Sequence, residues 1–210
     1  MENEIAGWGP LGGSAVFLRN QIEASARIPL GAVDMGLSLR GGLLLPSTWL
    51  PAAPSNLTPP MATKGSSCIC DRFFLGGPHD VRGFAPRGIG PHSGTDSLGG
   101  DVFAAAAFHL YAPLPFSSLR QRIGESLRTH AFVNVGSLAS MDWVQQRPAA
   151  SAAAAILARL HAGLSVAWGV GLVLDTGQFS AELNLCLPLR RGQDSLVSPR
   201  LQFGVGFSFL

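Results

Sequence analysis

The sequence has few charged residues and no long uninterrupted apolar run. Asp, Glu, Lys and Arg make up 13% of the 210 residues, whereas 47% are hydrophobic; the charged share is about half of the usual one. This composition indicates a core-rich or membrane protein. A net charge of +2 carried by scattered arginines gives no basis for a nucleic-acid partner. No segment reaches the roughly 18 apolar residues of a membrane-spanning helix, and the acidic start MENEIAGWGP is unlike a secretory signal peptide.

Cysteines and catalytic sets are equally scarce. Cys68 and Cys70 form a lone C-x-C in a Pro/Ser-rich loop, where too few other ligands are near for a zinc site, so we predict solvated thiols. Cys186 lies in a strand pattern and is expected to be a small packing residue. The run GVGLVLDTG from Gly169 lacks the third glycine and the helix of a dinucleotide loop. With scattered histidines and no paired carboxylates, the sequence predicts no enzyme, metal site or cofactor.

Apolar and polar residues alternate with a period of two in seven segments. Such alternation predicts β-strands with one apolar face. The segments are Val16–Ile28, Val33–Leu39, Val102–Tyr111, Leu127–Gly136, Leu164–Leu172, Phe179–Leu189 and Leu201–Phe209. Between the fourth and fifth of them, RPAASAAAAILARL contains strong helix formers after Pro148 and predicts one short loop helix.

A soluble sandwich and a membrane barrel both use this alternation, with the apolar face inside or outside respectively. The segments alternate over roughly ten residues, nearer to the 9–11 residues of a spanning strand than to soluble strands. Arg19 and Arg27 share the polar side of the first segment, and turning them towards the bilayer centre would cost about 2–4 kcal/mol each. We therefore predict an all-β transmembrane antiparallel barrel with a wet lumen; a soluble β-sandwich binding module is the alternative.

Residues 71–91, DRFFLGGPHDVRGFAPRGIGP, combine five glycines and three prolines with aromatic residues that need packing partners. The part FFLGGPHDVRGF resembles the lid loop of the outer-membrane protein insertases, the family of BamA, the chloroplast translocation channel and the mitochondrial sorting and assembly machinery channel. The family signature V/I-R-G-F/Y corresponds here to Val81, Arg82, Gly83 and Phe84. The runs GIGP, DSLGGD, LYAPLPF and QFGVGFSFL follow in family order and are most similar to the mitochondrial member.

This resemblance implies a partial barrel, about the last seven strands of sixteen, over residues 13–210 after an N-terminal tail 1–12. A long lid loop, about 46–97, would fold into the lumen and dock Arg82 on Phe132 and Asn134. Because Asn134 stands where bacterial members carry an acid, the expected contact is a hydrogen bond to a neutral acceptor plus stacking on the aromatic ring. The Pro-rich part of the loop, 46–70, is longer than the family pattern.

The final segment contains a second motif. The pattern polar-x-Gly-x-x-φ-x-φ resembles the β-signal of mitochondrial outer-membrane barrels, and its positions here are Gln202, Gly204, Phe207 and Phe209. An ordinary amphipathic last strand also satisfies so loose a pattern. The motif therefore supports this kind of barrel more than any particular activity.

The function that the resemblance implies is insertion and assembly of β-barrel precursors in the mitochondrial outer membrane, by strand templating at a lateral gate. Its partners would be precursor polypeptides, other sorting and assembly machinery subunits and the lipid bilayer. Because the resemblance reaches only the last strands, we expect a fragment or shortened paralogue in which Val16–Ile28 is an open edge. The alternatives are a structural barrel fragment that needs a partner chain, and a plastid or bacterial homologue.

Overall fold

The computed structural model describes residues 2–6, 17–46, 67–114, 126–141, 149–176 and 179–207. The elements in chain order are β1 (Glu2–Ala6), β2 (Phe17–Leu30), β3 (Val33–Pro46), β4 (His92–Ser93), β5 (Asp96–Ser97), β6 (Val102–Pro113), β7 (Leu127–Ala139), α1 (Ala149–Ala162), β8 (Ser165–Asp175), β9 (Phe179–Arg190) and β10 (Leu201–Phe207). No helix in these ranges is long and apolar enough to cross a membrane.

Eight strands form one antiparallel sheet in the order β1-β2-β3-β6-β7-β8-β9-β10, and β4 and β5 form a separate small hairpin. The seven predicted strands are confirmed. The structure adds β1, which pairs with β2 from Glu2 opposite Gln21 to Ala6 opposite Phe17, so the count of seven and the description of residues 1–12 as a plain tail need correction. The residues of β1, ENEIA, do not alternate, because the first three are all polar, so the sequence shows no strand signal there.

The connections between strands alternate between the two ends of the sheet because neighbouring strands are antiparallel. At one end, residues 31–32 join β2 to β3 in a tight turn, and Gly31 has a φ of 70°, which glycine adopts without a Cβ clash. The long connections after β3, β7 and β9 lie at the other end. All three are therefore neighbours at one rim of the sheet.

The apolar sides of the strands face outward. Val133 is 48% exposed, whereas its neighbours Phe132 and Asn134 are 2% and 1% exposed. The same contrast runs across the sheet, and the exposed apolar side chains are Ile22, Ile28, Leu37, Leu39, Phe108, Val133, Trp168, Val170, Leu172, Leu183, Leu185 and Phe203. We call this the outer face and the opposite one the inner face. The predicted outward orientation of the apolar sides is confirmed.

The buried apolar core lies between the inner face and the loop after β3. The loop contributes Phe73, Leu75, Val81, Phe84 and Ile89, and the strands contribute Phe17, Leu44, Phe103, Ala105, Leu138 and Ala167. A sandwich would instead bury the apolar sides of two sheets against each other. The soluble-sandwich alternative is therefore wrong, and the aromatic residues of the Gly-rich loop have the packing partners that they need.

The predicted loop helix is present as α1 and lies against the outer face near the rim of long connections. The hydroxyl of Ser137, near the end of β7, donates to the carbonyl of Leu160 at 2.6 Å. Ile156 packs with Met141 over the apolar residues Leu43, Leu45 and Val102. The helix thus covers the ends of three strands and leaves most of the outer face exposed.

The sheet is not closed within the described residues, since β1 and β10 are not neighbours. The expected open edge at Val16–Ile28 is wrong for its first part, because β1 pairs with β2 over Phe17–Gln21. From Ile22 to Ile28 the expectation holds, since β2 has no second neighbour there in the ranges that the structure describes. A second unpartnered edge, defined in the same way, runs along β10.

Candidate functional site

The lid, which we define as residues 67–100, lies on the inner face and is closed at its base. Phe73 and Gly100 exchange two main-chain hydrogen bonds of 2.9 Å, and the amide of Ile89 donates to the carbonyl of Leu75 at 3.0 Å. Between these bridges the chain turns through residues 76–88. The lid is therefore a folded loop with its own main-chain pairing.

A buried carboxylate ties the base of the lid to the rim. Asp101 is 2% exposed and accepts hydrogen bonds from the Met141 amide at 2.7 Å, the Ser140 hydroxyl at 3.3 Å and the Ser67 hydroxyl. The Arg72 guanidinium lies 3.7 Å from the same carboxylate. Buried charges persist when they are paired and hydrogen-bonded, so Asp101 joins both ends of the lid to the end of β7.

The turn before the signature motif needs glycine. Gly76 and Gly77 have φ values of 113° and 126°, a region in which other residues are strained. The Asp80 carboxylate accepts from the Gly76 amide at 2.6 Å and pairs with Arg40 of β3. This turn directs the following residues into the sheet.

The Arg82 guanidinium is buried and pairs with Glu182 of β9. Nη2 lies 3.0 and 2.8 Å from the two carboxylate oxygens, and Nε lies 3.3 Å from one of them. The guanidinium also sits 5.3 Å from the centroid of the Phe132 ring. Charge-assisted pairing with two donors and stacking on an aromatic face are both favourable for arginine.

Asn134 contacts the lid through a different atom from the one expected. Its side-chain amide donates to the carbonyl oxygen of Arg82 at 2.9 Å, so it binds the lid main chain. The structure therefore brings Arg82, Phe132 and Asn134 together, but the expectation of a neutral acceptor for the guanidinium is wrong, because that acceptor is Glu182. The one signal in the sequence was an acid on the polar side of the β9 alternation.

The Glu182 carboxylate belongs to a wider polar network on the inner face. Asn184 donates its side-chain amide to Glu182 at 3.0 Å and contacts a ring nitrogen of His130 at 3.3 Å. A ring nitrogen of His109 lies 3.0 Å from His130, and Tyr111 stacks on His130 with centroids 4.6 Å apart. Residues of three strands, β6, β7 and β9, thus surround the carboxylate that holds the lid.

A polar cavity of about 200 Å³ lies beside this network, between the lid and β2, β3 and β6. Its lining carries both signs of charge, and the charged and aromatic members are Glu23, Arg40, His79, Asp80, Arg82, His109 and Tyr111. The described inner face is therefore polar where it borders this cavity and apolar where the lid packs against the strands.

The remaining signature residues are packed against the strands and the β9–β10 connection. Val81 is 1% and Phe84 0% exposed. A Cβ at Gly136 of β7 would lie 2.8 Å from side-chain atoms of both Leu75 and Val81, so this glycine makes room for the lid. The next lid residue, Ala85, donates its amide to the Leu196 carbonyl at 2.9 Å, which continues the lid into the adjacent connection.

The last strand contacts the lid through Gln202. Its side-chain oxygen accepts from the Gly83 amide at 2.8 Å, and its side-chain nitrogen donates to the Phe84 carbonyl at 3.1 Å. We call these two hydrogen bonds the Gln202 latch. Sequence reasoning placed Gln202 in a β-signal without any lid contact; Gly204 is buried beside the lid, Phe207 ends β10, and Phe209 lies outside the described residues.

Alanine at Gly83 is expected to unseat the lid. Gly83 has a φ of 91°, and a Cβ there would lie 2.8 Å from the Ala167 Cβ, so the Gly83→Ala lid must shift or strain by about 1–3 kcal/mol. We expect faster chymotrypsin cleavage after Phe84 in membranes that contain this variant.

Gly94→Ala is the matched control, since Gly94 also has a positive φ, 64°, but no atom lies within 4 Å of a Cβ there. Equal cleavage rates for the two variants would contradict the packing role of Gly83.

The three cysteines occupy two environments. Cys68 and Cys70 are exposed and Cys186 is buried, as predicted. A hydrogen bond with Cys68 raises the pKa of the Cys70 thiol, which disfavours the thiolate that metals and disulfides require. In the described ranges, no group of three or more His, Cys, Asp or Glu side chains is placed to hold a metal ion.

An antiparallel sheet that is apolar outside and carries a folded lid on its inner face defines an outer-membrane barrel protein with an inward loop. The Omp85 superfamily domain matches residues 1–209, and the chain belongs to this superfamily. In structure it is similar to BamA from Haemophilus ducreyi lacking POTRA domains 1–3, with a TM-score of 0.64 and 18% identity over 92% of this chain and 35% of that chain. That similarity confirms the fold.

In sequence the chain is 36% identical to "Sorting and assembly machinery component 50 homolog" of Mus musculus and 33% identical to the Homo sapiens protein of that name, in both cases over the whole chain. It is 33% identical over 142 residues to "Sorting assembly machinery 50 kDa subunit" of Saccharomyces cerevisiae. The chain spans 40% of the length of the mouse and human proteins and 27% of the yeast protein. The resemblance to the mitochondrial member is confirmed, and the chain is a membrane barrel protein of the mitochondrial outer membrane.

Proposed function

We propose that the protein to which this chain belongs inserts β-barrel precursors into the mitochondrial outer membrane, by pairing a precursor strand at a lateral seam beside β10. This chain supplies eight strands of the sheet and the lid. The unpartnered edge of β10, in the part of the chain that the structure describes, is the observation that carries the proposal.

The energetics of this edge support strand templating. Hydrocarbon offers no partner for main-chain N–H and C=O groups, and each unsatisfied group costs several kcal/mol at membrane depth. An edge strand in that position therefore gains greatly by pairing with another extended segment. The outward apolar residues of β9 and β10, such as Leu185 and Phe203, would place the side chains of an added strand in the matching alternation.

The proposed reaction is non-covalent. Hydrogen bonds of the precursor strand replace hydrogen bonds at the seam, so the mechanism needs no cofactor and no catalytic residue, and the protein is not an enzyme. Precursor polypeptides and other sorting and assembly machinery subunits are the proposed partners. The lid lies close to the proposed seam, because Arg82 pairs with Glu182 of β9, the strand next to β10.

Disulfide mapping with an arrested precursor tests the proposal. Single cysteines replace Leu201, Phe203 or Val205 of β10 in a Cys68→Ser/Cys70→Ser background, and each is paired with cysteines along the precursor strand. We expect disulfides in one continuous register, because a paired strand places successive residues opposite one another. Val133→Cys is the control, since this exposed residue lies on the central strand β7, which is paired on both sides.

Absence of disulfides at all three positions, with a precursor that still assembles in the same membranes, would argue against templating at β10. A second candidate is a structural part of a barrel completed by another chain. The unpartnered stretch of β2, Ile22–Leu30 in the described ranges, favours it by offering another seam. Co-purification with a second chain at a fixed stoichiometry, without precursor-dependent disulfides, would support this candidate.

A further inference from the structure

We propose that a groove on the outer face beside α1 binds an anionic phospholipid of the membrane, with an acyl chain in the groove and the phosphate group at the basic end of the helix. The groove, which we call the α1 groove, has a volume of about 690 Å³, within the roughly 300–1,000 Å³ of ligand pockets in proteins. It lies on the opposite face of the sheet from the lid and away from the edge of β10. The proposal therefore goes beyond the proposed function and does not depend on it.

Small residues form the floor of the α1 groove. On β3 and β6, Gly41 pairs with Ala104, and Leu39 pairs with Ala106. A Cβ at Gly41 would have only the carbonyl oxygen of Phe103 nearby, at 3.6 Å, besides its chain neighbours, so the space above this glycine is open. The floor extends from β2 to β7, which is three strand spacings of about 4.8 Å each. It is therefore long enough to hold an extended segment of an acyl chain.

Helix α1 forms one wall of the groove. Leu157 and Leu160 line it from the helix, and Leu164 lines it from the residues that follow. The hydrogen bond from the Ser137 hydroxyl to the Leu160 carbonyl fixes this wall to β7. Ser137 is two residues from the end of β7, about 7 Å along the strand. The groove thus lies close to the rim, where the apolar band of a membrane barrel approaches the lipid headgroups.

The α1 groove is continuous with the apolar outer face. Phe108 and Val133, which follow the floor along β6 and β7, are 40% and 48% exposed. In a membrane barrel this face contacts hydrocarbon, so lipid chains reach the groove from the side. An empty groove would lose the dispersion contacts of its lining. The apolar lining and this continuity favour an acyl chain as the occupant.

The rim end of the groove carries positive charge. Arg159 and His161 lie in the last turn of α1, which contains no acidic residue, and both are exposed. His161 also lines the groove, and its main-chain carbonyl accepts from the guanidinium of Arg190 at 2.9 Å. The other polar residues of the lining are bonded within the protein, Arg40 to Asp80 and Ser137 to α1.

This charge explains the choice of an anionic lipid. Arginine side chains near the membrane surface extend their charged ends to the headgroup region, and basic clusters there attract anionic lipids. A phosphate group also accepts charge-assisted hydrogen bonds from guanidinium groups. A phospholipid joins an acyl chain and a phosphate in one molecule, so it satisfies the apolar groove and the basic end together.

Photo-crosslinking tests where the lipid binds. The full protein is reconstituted in phosphatidylcholine vesicles that contain phosphatidylinositol with a diazirine in one acyl chain, and labelled residues are identified by mass spectrometry. We expect severalfold more label at Leu39 and Leu157 of the groove than at Leu183, an outer-face residue of β9 away from it; these side chains are 49%, 67% and 43% exposed. Equal labelling at the three positions overturns the proposal, because it shows ordinary contact with bulk lipid.

The variants Ala104→Phe and Ala26→Phe test whether the groove space is needed. Both add the same side chain to the outer face, but only Ala104 lines the groove. We expect Ala104→Phe to reduce the label at Leu157 severalfold and Ala26→Phe to leave it unchanged. If Ala104→Phe does not enter the membrane, Gly41→Leu fills the same space, since a Cβ there meets no close contact. Undiminished label at Leu157 in the folded variant overturns the proposal.

Exchange of the headgroup tests the basic end. Photoreactive phosphatidylcholine is compared with photoreactive phosphatidylinositol, in the unsubstituted protein and in Arg159→Gln/His161→Gln. We expect phosphatidylinositol to label the groove severalfold more strongly in the unsubstituted protein and the two lipids to label it equally in the variant. Equal labelling by the two lipids in the unsubstituted protein overturns the proposal. A groove that is labelled in vesicles but not in native membranes also overturns it, in favour of a protein partner that covers the groove.

Discussion

Arg82→Ala is expected to release the lid and to abolish most precursor insertion. The substitution removes both charge-assisted hydrogen bonds to Glu182 and the contact with the Phe132 ring. It also leaves a carboxylate that is 12% exposed in its side chain without its arginine, and the loss of one partner of a buried pair costs about 3–5 kcal/mol. The lid would then become accessible to chymotrypsin in isolated membranes.

Arg87→Ala is the matched control, because Arg87 is an exposed lid cation over the Phe74 ring at 4.9 Å and does not contact Glu182. Unchanged lid protection and unchanged precursor insertion in Arg82→Ala would refute docking through this residue. Adding Glu182→Gln to Arg82→Ala should recover part of the lid protection, because the buried charge is then removed together with its partner. If the lid of the double variant is no better protected than that of Arg82→Ala, the unpaired Glu182 charge is not the cause of lid release.

Ala26→Arg is expected to reduce membrane insertion, and Ser25→Arg to have little effect. These adjacent residues of β2 are both exposed, but Ala26 lies on the outer face opposite Leu37 and Ser25 on the inner face opposite Ser38. An arginine near the middle of the lipid-facing band costs about 2–4 kcal/mol, whereas one in a wet lumen has access to water. Resistance to carbonate extraction and unfolding by urea from lipid vesicles measure the difference.

The pair is informative because the same residue is added at neighbouring positions, so chain length, strand and added charge are equal. Equal stability of Ala26→Arg and Ser25→Arg would contradict the assignment of the outer face to lipid. Leu37→Arg, on the strand opposite Ala26 and 47% exposed, should behave like Ala26→Arg. If Leu37→Arg resists carbonate extraction and urea as well as the unsubstituted protein does, then protein and not lipid surrounds this part of β2 and β3.

The lid and the last strands form one polar assembly. Arg82 binds β9, the Gln202 latch binds β10, and the amide of Leu196 in the connection between them donates to the carbonyl of Gly88 at 2.7 Å. A displacement of either strand would break several of these hydrogen bonds together. Under the proposed function, opening a seam at β10 and unseating the lid are therefore coupled events, and the coupling free energy is set by contacts at residues 82–88.

The local sequence pattern was sufficient to predict seven of the strands and α1. The alternation of residues 127–136 places Phe132 and Asn134 on one side and Val133 on the other, and burial of 2%, 1% and 48% follows that pattern. The composition of the loop indicated only that it needs packing partners, and its resemblance to the family signature identified it as a lid. The strand β1 was missed, since Glu2, Asn3 and Glu4 are all polar and show no alternation.

Contacts between residues that are far apart in the sequence could not be predicted from the local pattern. Glu182 is separated from Arg82 by 100 residues and Gln202 from Gly83 by 119, and each becomes a lid partner only through the register of β8, β9 and β10. A shift of one residue in any of these pairings would turn Glu182 or Gln202 towards lipid. The prediction that Asn134 accepts from the Arg82 guanidinium was wrong for this reason. The alternation placed Glu182 on the polar side of its strand, but it did not show which residues of the other strands and the lid lie next to it.

The sequence by itself determined which side of each strand is apolar and where the chain turns, because these depend on residues close together in the chain. The resemblance to the insertase family indicated which loop carries the docked arginine. The tertiary structure alone decided that Glu182 neutralises this arginine, that Gln202 holds the lid main chain and that Asp101 fastens the base of the lid. Those contacts depend on the register between strands. The register is set by many main-chain hydrogen bonds together, so no single residue encodes it.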